Sequence, residues 1–346
     1  MTTKVTHKYQ RLLNEYGIEA EYIEDLGNIK KVHSNHGVVA LKKSKLPYTH
    51  MNTFSDSIKF LHYKAYGFGV PIFRTKTGSH YVLDEDHSAY YLMPWLEDYV
   101  EEERNDHAFS LFKQLGELHA RTAKDEKITS ENVTYFTEQL KEKWKTRNDE
   151  LARYVESCED KIYMSPFELY FCTFYQDMIR ACEFSLRKLD EWQELMEEKK
   201  TYRIVFTHGK PSFKHFLYNV EGHGMFINFE RSSYLPPIYD LLYFFYRSCN
   251  TYPMSTDDRF QWFQTYRSHF PLKEEELTLF ITQLSYPEKL YNVVTQYRTN
   301  PKSKTEIKHV QALQRAYWQM KNIEYFLTSV VMYEEQKKQQ EEAQQE

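Results

Sequence analysis

The sequence predicts an α+β fold, with a small sheet-rich segment first and a larger, mainly helical segment after it. Three observations predict it. Short apolar runs punctuated by turn residues crowd the chain before residue 94. Long amphipathic stretches dominate from about residue 108 onward. A single strand-like passage, 204–230, interrupts the helical part. Strands grouped first and helices grouped later are the pattern of an α+β architecture rather than an alternating α/β one.

Taken in order, residues 4–16 read as a short helix with Tyr9, Leu12, Leu13 and Tyr16 on one face. Tyr22–Leu26, Ile29–His33 and Gly37–Lys42 read as three short strands, the last being G-V-V-A-L-K. Asp56–Tyr66 reads as a helix that gathers Ile58, Leu61, His62 and Ala65 on one side, with Asp56 placed to cap its start. Gly67–Pro71 ends it. Ile72–Thr75 and His80–Leu83 suggest a hairpin around Lys76-Thr77-Gly78, and Ser88–Met93 another strand leading into Pro94–Glu97. A charged loop, Asp98–Asp106, precedes a helix at Ala108–Thr122, in which His119 is a packed, hydrogen-bonded residue. Asn132–Glu156 and Pro166–Lys199 are long helices whose Lys, Glu and Arg faces are solvated.

The passage from Ile204 reads I-V-F-T-H-G-K-P-S-F-K-H-F-L-Y-N, then a turn bracketed by Gly222 and Gly224, then M-F-I-N-F-E. This is strand, loop, strand, turn, strand. Pattern alone is equally met by an ordinary buried hairpin carrying a histidine. Beyond it, I-Y-D-L-L-Y-F-F-Y-R places Asp240 on a helix, and Asp257–Phe270, Glu274–Leu284, Leu290–Tyr297 and Thr305–Tyr333 read as further helices. The polar ending, 336–346, reads as a fraying helix end or a disordered tail.

The chain has 346 residues, a net charge of −5 and 41% hydrophobic residues, enough for one large or two smaller domains with a real core. That charge balance argues against a nucleic-acid partner, which would call for a concentrated basic excess. No run of about 18 apolar residues marks a membrane span. The start M-T-T-K-V-T-H lacks the apolar stretch of a signal peptide. Cys158, Cys172, Cys182 and Cys249 show no metal-type spacing and read as isolated thiols. The 29 Tyr and 23 Phe imply an aromatic-rich core and half-buried surface; oxidative cross-linking of surface Tyr is the alternative to that reading, and the composition does not favour it.

His208-Gly209, the strand entry at Phe216-Leu217, and Ile227, Phe229 and Glu230 together resemble the catalytic segment of the aminoglycoside-phosphotransferase and choline-kinase type of kinase-like fold. That resemblance implies a bilobal molecule, with an N-terminal lobe over 1–94, a helical lobe over 95–335 carrying the catalytic segment 204–230, and a tail over 336–346. It also implies a role for individual residues. Lys42 matches the strand lysine that reaches nucleotide phosphates, Trp95 the wall against which adenine stacks, and Asp240 the acid that braces the catalytic loop. His208 holds the loop frame. The family's catalytic Asp, metal-binding Asn and metal-binding Asp fall on Lys210, His215 and Asn228. Magnesium requires hard oxygen ligands, and a lysine is no general base without a strongly lowered pKa. The catalytic positions are therefore degenerate, no metal is expected, and Asn228 and Glu230 are the weak candidates for one. A kinase's helix Glu, which pairs with the strand Lys, is also missing between His50 and Tyr66.

A-L-K at 40–42, the paired long helices, T-H-G-K-P-S, I-N-F-E-R and Y-P-E-K resemble the CotS-type spore coat proteins, within them the YsxE-like branch. The resemblance implies a catalytically dead pseudokinase made in the mother-cell cytoplasm and placed in the spore coat. Its partners would be other coat proteins, with no cofactor and no small-molecule substrate. Two alternatives stay open. One is an atypical ATP-dependent phosphotransferase using Glu230, Asp240 and Asn228 as a displaced metal site. The other is a nucleotide-binding switch in which Lys42 and Lys210 hold ATP phosphates without chemistry. The observation that separates them is whether Lys42, Asn228 and Glu230 face an empty, nucleotide-sized space.

Overall fold

The structure, a computed structural model, describes residues 9–65, 67–96, 104–219, 221–249 and 258–344. The charged loop expected from Asp98 lies largely outside these residues, as do Tyr66, Glu97, Asp257 and the expected helix's first residues, 4–8. The chain divides into two compact units. One comprises 1–124, 204–235 and 268–270; the other comprises 125–203, 236–267 and 271–346. The segment 204–235 thus falls in the same unit as the N-terminal sheet.

In the first unit, α1 (described over 9–14) lies against an antiparallel sheet of order β1-β2-β3-β5-β4. Its strands are β1 (Ala20–Leu26), β2 (Ile29–Ser34), β3 (Gly37–Lys43), β4 (Val82–Leu83) and β5 (Ala89–Pro94). Alternation puts Val32, Val39, Leu41, Tyr90 and Leu92 on one face, where they pack on Leu12 and Leu13 of α1. Helix α2 (Met51–Lys64) buries Met51, Phe54, Ile58 and Leu61 at a helical spacing. It starts five residues before Asp56, so Asp56 does not cap it; the carboxylate sits on the exposed side, 2.9 Å from Lys59.

The hairpin expected over 72–83 is not formed. Thr75 and Ser79 close a turn through the Thr75 amide and Ser79 carbonyl at 2.8 Å, but only Val82 and Leu83 join the sheet. The preceding stretch goes elsewhere. Phe73 donates its amide to Leu92, and Phe68 to Val70 runs beside Phe226. Those long-range bonds satisfy backbone groups that a local ladder would have used.

Helix α3 (Arg104–Thr122) buries Ala108, Leu111, Phe112, Leu115 and Leu118. His119 on it is fully buried with its ring edge-on to Phe270. β6 spans Lys124–Lys127 and β7 Thr201–Thr207; the later part of β7 pairs antiparallel with β10 (Ser233–Leu235). Between them β8 (Phe216–Tyr218) and β9 (Gly224–Phe226) form the hairpin read from the sequence. The expected return strand is shorter than Met225–Phe229, because Asn228 turns left-handed at φ 71° and a 3-10 turn covers Phe229–Arg231.

The second unit is helical: α4 (Ser130–Glu159), α5 (Pro166–Met196), α6 (Ile238–Ser248), α7 (Asp258–His269), α8 (Glu274–Ser285), α9 (Glu288–Thr299) and α10 (Glu306–Ala343). The two long helices begin with reciprocal caps. The Thr129 and Ser165 hydroxyls accept from the amides of Asn132 and Glu168, whose side chains return the bond. The aromatic residues stack inside this unit, Phe167 on Tyr297 at 3.9 Å and Phe174 on Tyr317 at 3.8 Å between ring centres. All four cysteines are free thiols. Helix α10 continues through the polar ending to Ala343, where a frayed end or disordered tail was expected. Its polar face is tied down by Glu334 to Arg267 at 2.5 Å and Lys338 to Glu274 at 3.1 Å. No described helix is long and apolar enough to cross a membrane.

Candidate functional site

Three local features of the first unit bring the sequence-selected residues together. The first is strand β3, where Lys42 stands opposite Tyr91 of β5 and its ammonium lies 5.3 Å from the Tyr91 ring centre. The second is the loop after β7. His208 is fully buried, bonds through Nε2 to the Ile227 carbonyl at 2.8 Å, and accepts the Lys210 amide at Nδ1. These bonds fix its tautomer, with the proton on Nε2. Gly209 between them has φ 75°, and a Cβ there would lie 2.1 Å from the Arg231 carbonyl oxygen. Only glycine lets the loop approach that turn so closely.

The third is the left-handed Asn228, which aims its amide in two directions. Its Oδ1 accepts from Lys42 and its Nδ2 donates to His215 Nε2 at 3.1 Å. His215 Nδ1 in turn donates to the Lys210 carbonyl at 2.9 Å. The imidazole is thus neutral with its proton on Nδ1. Burial pushes its pKa below 6.5, and the Lys210 and Lys42 charges push the same way.

The Lys42 ammonium also pairs with Glu230 Oε1 at 3.0 Å, with side-chain exposures of only 12% and 8%. The Tyr91 hydroxyl donates to the same oxygen at 3.1 Å, and the Lys45 amide to Oε2 at 3.3 Å. Burial lowers the Lys42 pKa, and the Glu230 carboxylate opposes that shift. Lys42 therefore has a carboxylate partner, and it comes from the turn after Asn228 and not from α2. Sequence reasoning missed Glu230 and Tyr91 in these roles. The available signals were a Glu-free α2 and an acid two residues after Asn228.

The result is a continuous chain of bonds from the Lys210 carbonyl through His215, Asn228 and Lys42 to Glu230. Lys42, Asn228 and Glu230 converge on one another. A magnesium–nucleotide complex, which the fold implies, does not fit this donor set. Both ring nitrogens of His215 and both amide atoms of Asn228 are engaged, and the Glu230 carboxylate is held by three donors.

Trp95 is not in this cluster. The Lys31 ammonium lies 4.8 Å from its ring centre, and it lines a separate cavity of about 690 Å3 that includes none of Lys42, Asn228 and Glu230. Phe216 is fully buried against Phe226 and Tyr218, and Phe213 sits edge-on to His107. Asp240 is buried near the start of α6 in the second unit.

No curated protein matches the chain in sequence. Among solved structures, an aminoglycoside phosphotransferase from Alicyclobacillus acidocaldarius superposes with a TM-score of 0.71 at 15% identity, covering 94% of this chain and 96% of that one. The AMP-bound spectinomycin phosphotransferase APH(9)-Ia superposes at 0.53 with 12% identity over 93% and 98% of the two chains. The amicoumacin kinase hAmiN, with AMP-PNP, Ca2+ and its antibiotic, superposes at 0.51 with 14% identity over 93% of each. At these identities the likeness establishes the kinase-like fold. In sequence, residues 82–278, more than half of the chain and including the whole His208–Glu230 segment, match the ecdysteroid kinase-like profile. The chain belongs to the ecdysteroid kinase-like family.

Proposed function

We propose that this chain is a kinase-like scaffold that does not transfer phosphate and that works by recognising other proteins, as a CotS-type spore coat component. The observation that carries the first half is the closed chain of bonds at the degenerate positions. Lys42 would have to leave a buried carboxylate and an amide before it could hold a phosphate, and among the described residues no cluster of three His, Cys, Asp or Glu could hold a metal ion. Displacing a well-paired buried group costs several kcal/mol. The second half rests on the resemblance of A-L-K, T-H-G-K-P-S and I-N-F-E-R to the coat proteins. It implies synthesis in the mother-cell cytoplasm and deposition on the forespore.

A nucleotide-binding switch without chemistry is the second reading, and one feature favours it. The Lys210 ammonium has no carboxylate partner among the described residues, although its charge is felt at Lys42 and His215. Thermal denaturation separates the two, since a ligand that binds only the folded chain raises its melting temperature. The scaffold reading expects no rise at millimolar ATP, with or without magnesium. A metal-independent rise supports the switch, and a magnesium-dependent rise contradicts both.

A further inference from the structure

The cavity that holds Trp95 lies outside the network around Lys42, and its walls have a chemistry of their own. Ile58, Leu61 and Ala65 of α2, Val70 and Ile72 after it, and Met225 of β9 supply apolar surface around about 690 Å3. Of the polar groups on the lining, three bear on a ligand. Gln114 Oε1 is buried and has no hydrogen-bond partner among the described residues. His80, only 3% exposed, is bonded at Nδ1 to the Ser55 hydroxyl at 2.8 Å, and its Nε2 has no partner among the described residues. Arg74, at the rim, has no carboxylate partner among the described residues, while Glu221, the acid on the lining, stands 3.4 Å from His223. An unpaired buried polar atom is costly in a folded chain, and Gln114 Oε1, together with His80 and the exposed Arg74 beside an apolar cavity, is the signature of a ligand site.

We propose that this cavity binds a small amphipathic organic acid, its apolar body against α2 and Met225, its anionic group on Arg74, and a polar substituent reaching Gln114 and His80. Burial and the neighbouring Arg74, Lys59 and His62 charges hold His80 neutral, against the weaker opposing effect of Asp56, so Arg74 supplies the positive charge. The site is independent of the reading given to Lys42 and Glu230, whose side chains do not line it.

The test is a fluorescence titration of the full chain with 1-anilinonaphthalene-8-sulfonate and with N-phenyl-1-naphthylamine, which has the same rings and no sulfonate. The site predicts saturable one-to-one binding of the sulfonate, tighter than the neutral amine. Arg74→Ala, an exposed side chain whose loss leaves the fold intact, should weaken the sulfonate on the order of tenfold, as for a lost bond to a charged group, and leave the amine unchanged. Met225→Trp, which fills the cavity, should abolish both while the melting curve stays cooperative; if that variant does not fold, Arg74→Ala decides alone. Equal affinity for the two probes, no saturation, or sulfonate binding unchanged in Arg74→Ala would overturn the proposal.

Discussion

Glu230 and Lys42 form a buried ion pair, and such pairs are more sensitive to losing one partner than to losing both. Glu230→Gln leaves a lysine that is 12% exposed without its anion, and the cost expected is about 3 kcal/mol in a denaturant midpoint experiment. The double change Lys42→Met with Glu230→Leu should cost less than Glu230→Gln alone. His215 gives a pH test. Its folded-state pKa lies below 6.5, so the unfolded chain binds the proton more readily. The stabilisation is complete above the unfolded value and is lost as pH falls below it. Stability should therefore rise with pH through the window below 6.5, and His215→Gln should flatten that slope in urea titrations. It should not remove it, because burial shifts His80 the same way. At this scale the sequence was legible for which residues would meet: Lys42, Asn228 and Glu230 converge on one another. It was not legible for the bonds by which they meet, because the Lys42–Glu230 contact joins distant parts of the chain and no local pattern encodes it.

Among the elements, the loop after β7 and the caps of the long helices make distinct demands on sequence. Gly209→Ala puts a methyl group against the Arg231 carbonyl in a left-handed backbone; roughly 1–3 kcal/mol is expected from strain alone. Ser165→Ala removes the cap of α5 and its hydroxyl contact to Tyr297 at 2.9 Å. Its expected cost is about 1 kcal/mol by thermal melting. The long helices were legible because apolar spacing, charged faces and caps agree over many residues. Val82–Leu83 was overread as one arm of a local hairpin, since the preceding stretch bonds to Leu92 and Phe226 instead. The polar end of α10 was underread, because composition alone hides the ion pairs to Arg267 and Glu274.

For the whole molecule, the order of strands and helices and the His208–Glu230 frame were enough to reach the kinase-like fold, which structural likeness over 94% of the chain supports. That 204–235 shares a compact unit with the N-terminal sheet was less legible, because the two are distant in sequence. On the proposed reading, a kinase-like fold is here closed around its own lysine. The most direct measurement is transfer or release of labelled γ-phosphate from ATP with magnesium or manganese, offered coat extract and small hydroxylated acceptors. The result expected of a non-transferring scaffold is turnover indistinguishable from a protein-free control. Turnover that disappears in Lys210→Ala and in Glu230→Gln, with both variants folded, would contradict it.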